Sequence, residues 1–330
     1  MVRRGGFKVL IITILFLAFL RVSVSEAGTL TVIDKLGRKI TVETPVKRAV
    51  LIITYELIPA LDIWNQVIAV SRWAETSCDL YRAFISLHPE YKKISVGAGV
   101  NLNVETILKL HPDLIITWTY HIKTVRFLQE QGLKVFTVYP DSLKELYQLI
   151  LLHGKLFGKE KRAKFVIKEM QKVFSFIQKR LKGIKKKKKV LYIGSKPTVV
   201  LGKIGVTADL IKIAGGINVA EKINRRYITV SSEQILKWNP DVIFIWGSAS
   251  YNPEFVFKKW SYLKAVKRKQ VFKLPHWSTW SPRSALLALF MAKKLYPSIF
   301  EDVNFEKFAD NFYRKIFKIS YNYVKKFEKF

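Results

Sequence analysis

Aromatic and cationic side chains gather where strands are expected to end. Arg72 and Trp73 follow a strand predicted at 67–70, and Trp118, Tyr120 and His121 follow one ending at Thr117. Trp246 follows one ending at Ile245, and His276, Trp277, Trp280 and Arg283 follow one ending at Leu274. In open α/β sheets ligands bind beyond the carboxyl ends of the strands. Tryptophan and tyrosine there suit stacking on a large flat ligand. Arg72 and Arg283 suit an anionic group, and Tyr120, His121 and His276 could instead ligate a metal held by small chelators. Any one of these residues could simply be packing. Five of the eight tryptophans in such loops favour a shared binding cleft.

The same residues offer no catalytic constellation. The chain has no G-x-S-x-G, H-E-x-x-H or C-x-x-C, and no glycine-rich phosphate loop. His88, His111, His121, His153 and His276 show no ligand spacing, so neither a protein-held metal nor a cofactor is expected. The lone Cys78 rules out an intramolecular disulfide and reads as a small buried residue.

These loops need a scaffold, and the chain carries it twice. Residues 104–118 (VETILKLHPDLIITW) and 232–246 (SEQILKWNPDVIFIW) are identical at eight of fifteen positions at a constant offset of 128. Each copy reads as a short helix, a Pro-Asp turn and a buried strand ending in tryptophan. Between them residues 158–183 place Ala163, Val166, Ile167, Met170, Val173, Phe174, Ile177 and Leu181 on one helical stripe, with a glycine at each end. The expected architecture is α/β: two Rossmann-like lobes with mostly parallel sheets, at 28–157 and 184–330, joined by one long helix. Such a connector lets the lobes rock without swinging widely.

In chain order, a hairpin with its turn at 35–38 leads to a strand at 50–54 and a helix near 56–64. Residues 72–90 read as polar, aromatic and irregular. Helices are expected at 124–132, 142–157, 207–214, 253–266 and 284–295, strands at 134–138, 190–194 and 270–274, and the tail from 304 is helical and aromatic-rich.

The 330 residues suffice for two domains, and 49% hydrophobic content is globular. The formal net charge is +32, from 57 Lys+Arg and 25 Asp+Glu. Lysines are spread along the chain, and the one dense run, Lys185 to Lys189, sits in a linker. With no nucleic-acid motif beside it, this reads as a solvated basic surface and no nucleic-acid partner. Residues 1–27 read as a leader: Arg3, Arg4 and Lys8, an apolar run at 9–20, then Ser25 and Ala27 at the −3 and −1 positions before Gly28. Cleavage there removes four positive charges and one negative, leaving +29 on a secreted or periplasmic protein without a lipid-anchoring cysteine.

The blocks TLTVIDKLGRKITV, NLNVETILKLHPDLIIT, LIKIAGGINVA, ITVSSEQILKWNPDVIFI and WSPRSALLALFMAKKLYP occur in order across nearly the whole chain after residue 27. In these it resembles the helical-backbone substrate-binding proteins of ABC importers that carry iron-siderophores, haem, vitamin B12 and related chelates. The resemblance implies a monomeric solute-binding protein, not an enzyme, that delivers its ligand to a membrane permease. It implies that Glu105 and Glu233, one per lobe, dock on permease arginines; both also sit where a helix dipole favours a carboxylate. It implies ligand contacts at Trp73, Tyr227, the Trp277–Trp280 loop and Arg283. The expected ligand is a ferric siderophore or similar anionic chelate, with a corrinoid second. An exported enzyme with an interlobe site would need a nucleophile and an acid–base pair that the sequence lacks.

Overall fold

The computed structural model describes residues 28–99 and 101–328. The leader lies outside the described residues. The first lobe opens with an antiparallel hairpin, Gly28–Ile33 against Lys39–Thr44. Its main sheet is wholly parallel, in the order Ile94–Ser95, Val67–Val70, Ala49–Leu51, Leu114–Trp118, Val135–Val138. Strands at 49–51, 114–118 and 135–138 are almost continuously buried, as expected of a sheet covered on both faces.

The second lobe is more mixed than its sequence pattern suggests. Lys188–Ile193, Val242–Ile245 and Val271–Lys273 are parallel, and Gly216–Asn218 adds in parallel to the first of them. Val199–Leu201 and Tyr227–Thr229 extend the other edge antiparallel. These two strands have three residues each, too short for an alternating pattern to emerge.

The long helix runs Glu160–Arg180 and buries Ala163, Val166, Ile167, Met170, Val173, Phe174 and Ile177, while Leu181 beyond it is half-buried. Gly158 and Gly183, the glycines outside it, have φ of 65° and 93°, the left-handed region that ends helices readily. The helix packs on Leu143–Leu156 of the first lobe and Ser284–Leu295 of the second, so one apolar cluster continues through both lobes. A methyl added at Gly154 would lie 2.6 Å from the Ala163 Cβ, which is why the two helices approach so closely there.

The duplicated motif has duplicated geometry. His111 and Asn239, each before the Pro-Asp pair, have φ of 43° and 41°. Asp113 accepts from the Lys47 and Arg48 amides, and Asp241 accepts from the Lys189 amide. Each carboxylate thus ties its turn to the start of the neighbouring strand.

Two local expectations are corrected, and the tail is helical as expected. Residues 72–90 are not irregular: they form helices Arg72–Ser77 and Asp79–Leu87, capped by Ser71 Oγ and Cys78 Sγ. Leu80, Tyr81, Ala83 and Phe84 are the buried face, and aromatic and polar residues mask the period. The helix expected at 253–266 is two, Pro253–Lys259 and Lys264–Lys267. The tail is Phe305–Phe317 and Tyr321–Lys325, and its end returns to the first lobe, where Tyr323 meets Ser86 at 2.6 Å.

Candidate functional site

The carboxyl ends of both sheets face one another across a narrow recess of about 110 Å³. The first lobe lines it with Ile53, Thr54, Tyr55, Glu56, Trp73 and Trp118, and the second with Ser278 and Trp280. Thr54 has φ of 61°, an unusual conformation for a β-branched residue and one that turns the chain sharply after the central strand. It is held from behind by fully buried His153, whose Nε2 is 3.1 Å from Thr54 Oγ1. His153 Nδ1 lies 2.9 Å from the Leu149 carbonyl, which can only accept, so Nδ1 carries the proton. Burial lowers the imidazole's pKa to about 4, and the Leu149 bond offsets little of that.

Above the recess the aromatic rings form one connected run. Trp73 meets Trp118 edge-on at 5.2 Å, and Trp118 meets Tyr120 and His121 at 5.6 and 5.7 Å. Tyr120 meets Tyr139, their hydroxyls 2.7 Å apart, and Tyr139 meets Trp280 of the other lobe at 4.6 Å. Burial, then the Tyr120 hydroxyl, pushes the Tyr139 phenol far up, so its hydroxyl stays protonated at neutral pH. The Arg226 guanidinium lies 4.2 Å over the Tyr139 ring and pairs with Asp141 at 2.7 Å, while Lys35 reaches Asp141 at 2.9 Å. Burial opposes ionisation of Asp141, but the hydrogen bonds from Arg226 and Lys35 outweigh it and hold the carboxyl below its usual range.

Of the expected site residues, the structure brings Trp73, Trp118, Tyr120, His121 and Trp280 into this run. Tyr227 is 43% exposed, with its hydroxyl end by Tyr192 and Tyr120, where burial pushes the phenol up to about 12. Arg72 is exposed in the first turn of its helix, and Trp246 is 39% exposed past the end of its strand.

Two expected ligand contacts are corrected. Trp277 is only 4% exposed; it stacks near Phe305 and its indole N–H donates to Glu328 at 3.1 Å. Arg283 is fully buried. Its Nε donates to Glu56 at 2.9 Å, a second nitrogen also reaches Glu56, and Nη1 donates to both Asp79 oxygens at 2.7 and 2.8 Å and to Tyr313 at 3.2 Å. Burial opposes its charge, but Asp79 and Glu56 outweigh burial and keep it firmly protonated. The guanidinium is therefore an internal bolt between the lobes and not a free anion-binding group. Sequence reasoning placed it correctly at the helix entry but had no view of Glu56 and Asp79, more than 200 positions away.

Tyr55, Glu56 and Tyr139 were missed, although all three follow strands of the parallel sheet and the strand-end rule reaches them. Arg226, beside Tyr227, carries no such signal. Among the described residues no group of three or more His, Cys, Asp and Glu side chains is placed to hold a metal ion. Cys78 is buried, and burial, then Glu56, raises its thiol well above the usual value, consistent with a packing residue.

Glu105 and Glu233 both stand exposed in the first turn of equivalent helices, Val104–Lys109 and Ser232–Trp238, capped in the same way by Asn103 and Ser231. Glu105 pairs with Lys109 at 2.7 Å on the open surface. The Ser231 hydroxyl lowers the Glu233 pKa.

Two lobes, a bridging helix and a small recess between strand ends define a solute-binding architecture. The chain belongs to the periplasmic binding protein family, whose model matches residues 54–276. It is 26% identical to the molybdate-binding protein MolA of Haemophilus influenzae, over 91% of this chain and 94% of that one. It is 28% identical to the haem uptake protein IsdE of Staphylococcus aureus, over 58% of this chain and 70% of that one. Among solved structures, Helicobacter pylori CeuE in a Ni-His complex superposes with a TM-score of 0.79 at 28% identity, over 92% of this chain and all of that one. The protein is the substrate-binding component of an ABC importer, working with a cognate permease and a small ligand, and is a transport component, not an enzyme. Its relatives are periplasmic or lipoprotein binding proteins, and among the described residues no helix is long and apolar enough to cross a membrane.

Proposed function

We propose that the protein carries a small metal chelate of the ferric-siderophore or amino-acid type, gripped between Trp73 and Trp118 of one lobe and Trp280 of the other. The observation that carries this is the aromatic run crossing from lobe to lobe at the recess. Rings supply flat, weakly polar walls for the organic shell of a chelate, and a metal would arrive with its own ligands. Among the relatives, CeuE in its Ni-His complex and the haem uptake protein IsdE agree with a metal chelate, whereas MolA is a molybdate-binding protein.

At about 110 Å³ the recess is below the roughly 300–1,000 Å³ of drug-sized sites, so a ferric siderophore, like a corrinoid or haem, would require the lobes to part, and an amino-acid chelate would require the least opening. With Arg283 committed to Glu56 and Asp79, and Arg226 to Asp141, the candidate cation for an anionic ligand is Arg72, exposed in the first turn of its helix beside Trp73. The leader is cleaved before Gly28, the mature protein is a monomer, and Glu105 and Glu233 dock on the permease.

The test is thermal melting with a panel: ferric catecholate and hydroxamate chelates, nickel–histidine, molybdate, haem and cobalamin. A ligand at a hundredfold its Kd stabilises the fold by about 2.7 kcal/mol. Stabilisation by a small chelate, without its chemical change, supports the reading. Stabilisation by molybdate or a tetrapyrrole alone would replace it.

A further inference from the structure

Where the long helix hands over to the second lobe lies an open groove of about 490 Å³ that shares no lining residue with the ligand recess. Its apolar lining is Leu143, Leu181, Ile184 and Ile213, and Lys187 and Lys212 stand in its wall. Around it Lys182, Lys185, Lys186 and Lys189 are exposed, and none of these six lysines is in an ion pair among the described residues. Of the nearby acids, Asp302 pairs with Arg180 and Asp241 with Lys264, while Asp209, also in the groove wall, accepts from the neutral Leu143 amide at 2.7 Å. Six unpaired lysines against one groove-lining carboxylate leave this face net positive beside half-buried apolar side chains.

We propose that this face docks on the surface of an anionic phospholipid bilayer. An apolar cleft rimmed by unpaired ammonium groups complements a lipid that presents phosphate above an acyl chain. Basic residues near such a surface gain from its negative potential, and apolar groups reach below the headgroups. Geometry keeps this face apart from permease docking. Lys185 to Lys189 precede and enter the strand Lys188–Ile193 at its amino end, whereas Glu233 opens a helix that runs antiparallel to the neighbouring strand and so sits at the carboxyl end. A protein held on lipid by its lysine face keeps its recess and its two glutamates free. The proposal does not depend on which ligand is carried.

The experiment is flotation of the mature chain with vesicles of phosphatidylglycerol and phosphatidylcholine, or of phosphatidylcholine alone, at low salt and in 0.5 M salt. The variants are K185Q/K186Q/K187Q/K212Q, a control K258Q/K259Q/K267Q/K307Q that removes the same charge elsewhere, and Ile184→Ser. The wild type is expected to float with anionic vesicles only. The groove variant should lose on the order of a hundredfold in partitioning or more, the control far less, and Ile184→Ser the fraction that survives 0.5 M salt. Equal losses in groove variant and control would make the attraction a property of the whole molecule and overturn the proposal. So would absence of binding to anionic vesicles at low salt, or groove-dependent binding to a DNA oligonucleotide with none to vesicles.

Discussion

Arg283 donates to both carboxylate oxygens of Asp79, at 2.7 and 2.8 Å, although 204 positions separate them and each belongs to a different lobe. The same guanidinium bonds Glu56, and both carboxylates are almost fully buried. Truncating it would strand two buried carboxylates. Arg283→Ala should cost about 3–5 kcal/mol of stability. The isosteric neutral set E56Q/D79N/R283M should recover much of that loss. Denaturant melts of the variants check this; an Arg283→Ala protein as stable as wild type would contradict the bolt.

Trp280→Ala removes the second lobe's ring from Tyr139 and from the recess. Affinity for the ligand should fall by about 1–3 kcal/mol, from lost ring contact and lost apolar burial. Trp277→Phe, in the buried layer behind, should instead lower stability and leave affinity nearly unchanged. Titration calorimetry beside a melting curve distinguishes the two.

How far the sequence reached is clearest at these two tryptophans. Both stand in one loop after a strand, and the pattern alone gives them equal claim to the ligand. Which one faces the recess depends on Phe305, Tyr313 and Tyr321 of the tail, which enclose Trp277, and on Tyr139, which meets Trp280. The long helix and the duplicated turn were legible because both are local: an apolar stripe of period 3.6, and a Pro-Asp pair repeated at a constant offset. Arg283 was misread because a loop arginine and a buried ion-pair arginine look alike until distant carboxylates are placed.

His153 supplies a pH signature. Burial depresses its pKa from the ordinary 6.5 to about 4, so the unfolded chain binds the extra proton first as pH falls. The stabilisation is present in full above pH 6.5 and is lost between about 6.5 and 4. It amounts to about 3 kcal/mol over that window. His153→Gln should flatten this part of the stability profile at some cost at neutral pH, because Thr54 loses its support. An unchanged slope between pH 6.5 and 4 would show that other groups dominate.

Glu105→Ala and Glu233→Ala change exposed carboxylates far from any core contact. Both variants, and the double variant, should bind ligand like wild type and melt only slightly lower, since each loses a carboxylate that favours its helix N-terminus. Uptake in a reconstituted permease assay should fall, most in the double variant, because charges at a docking interface set orientation and encounter. Normal uptake by the double variant would remove these residues from the interface.

Native mass spectrometry of the protein isolated from its own host tests the central claim most directly. The account predicts a chain beginning at Gly28 with one small metal-containing adduct, strongly reduced in both Trp118→Ala and Trp280→Ala. A stoichiometric adduct that survives both substitutions, or a non-metal ligand in its place, would contradict it.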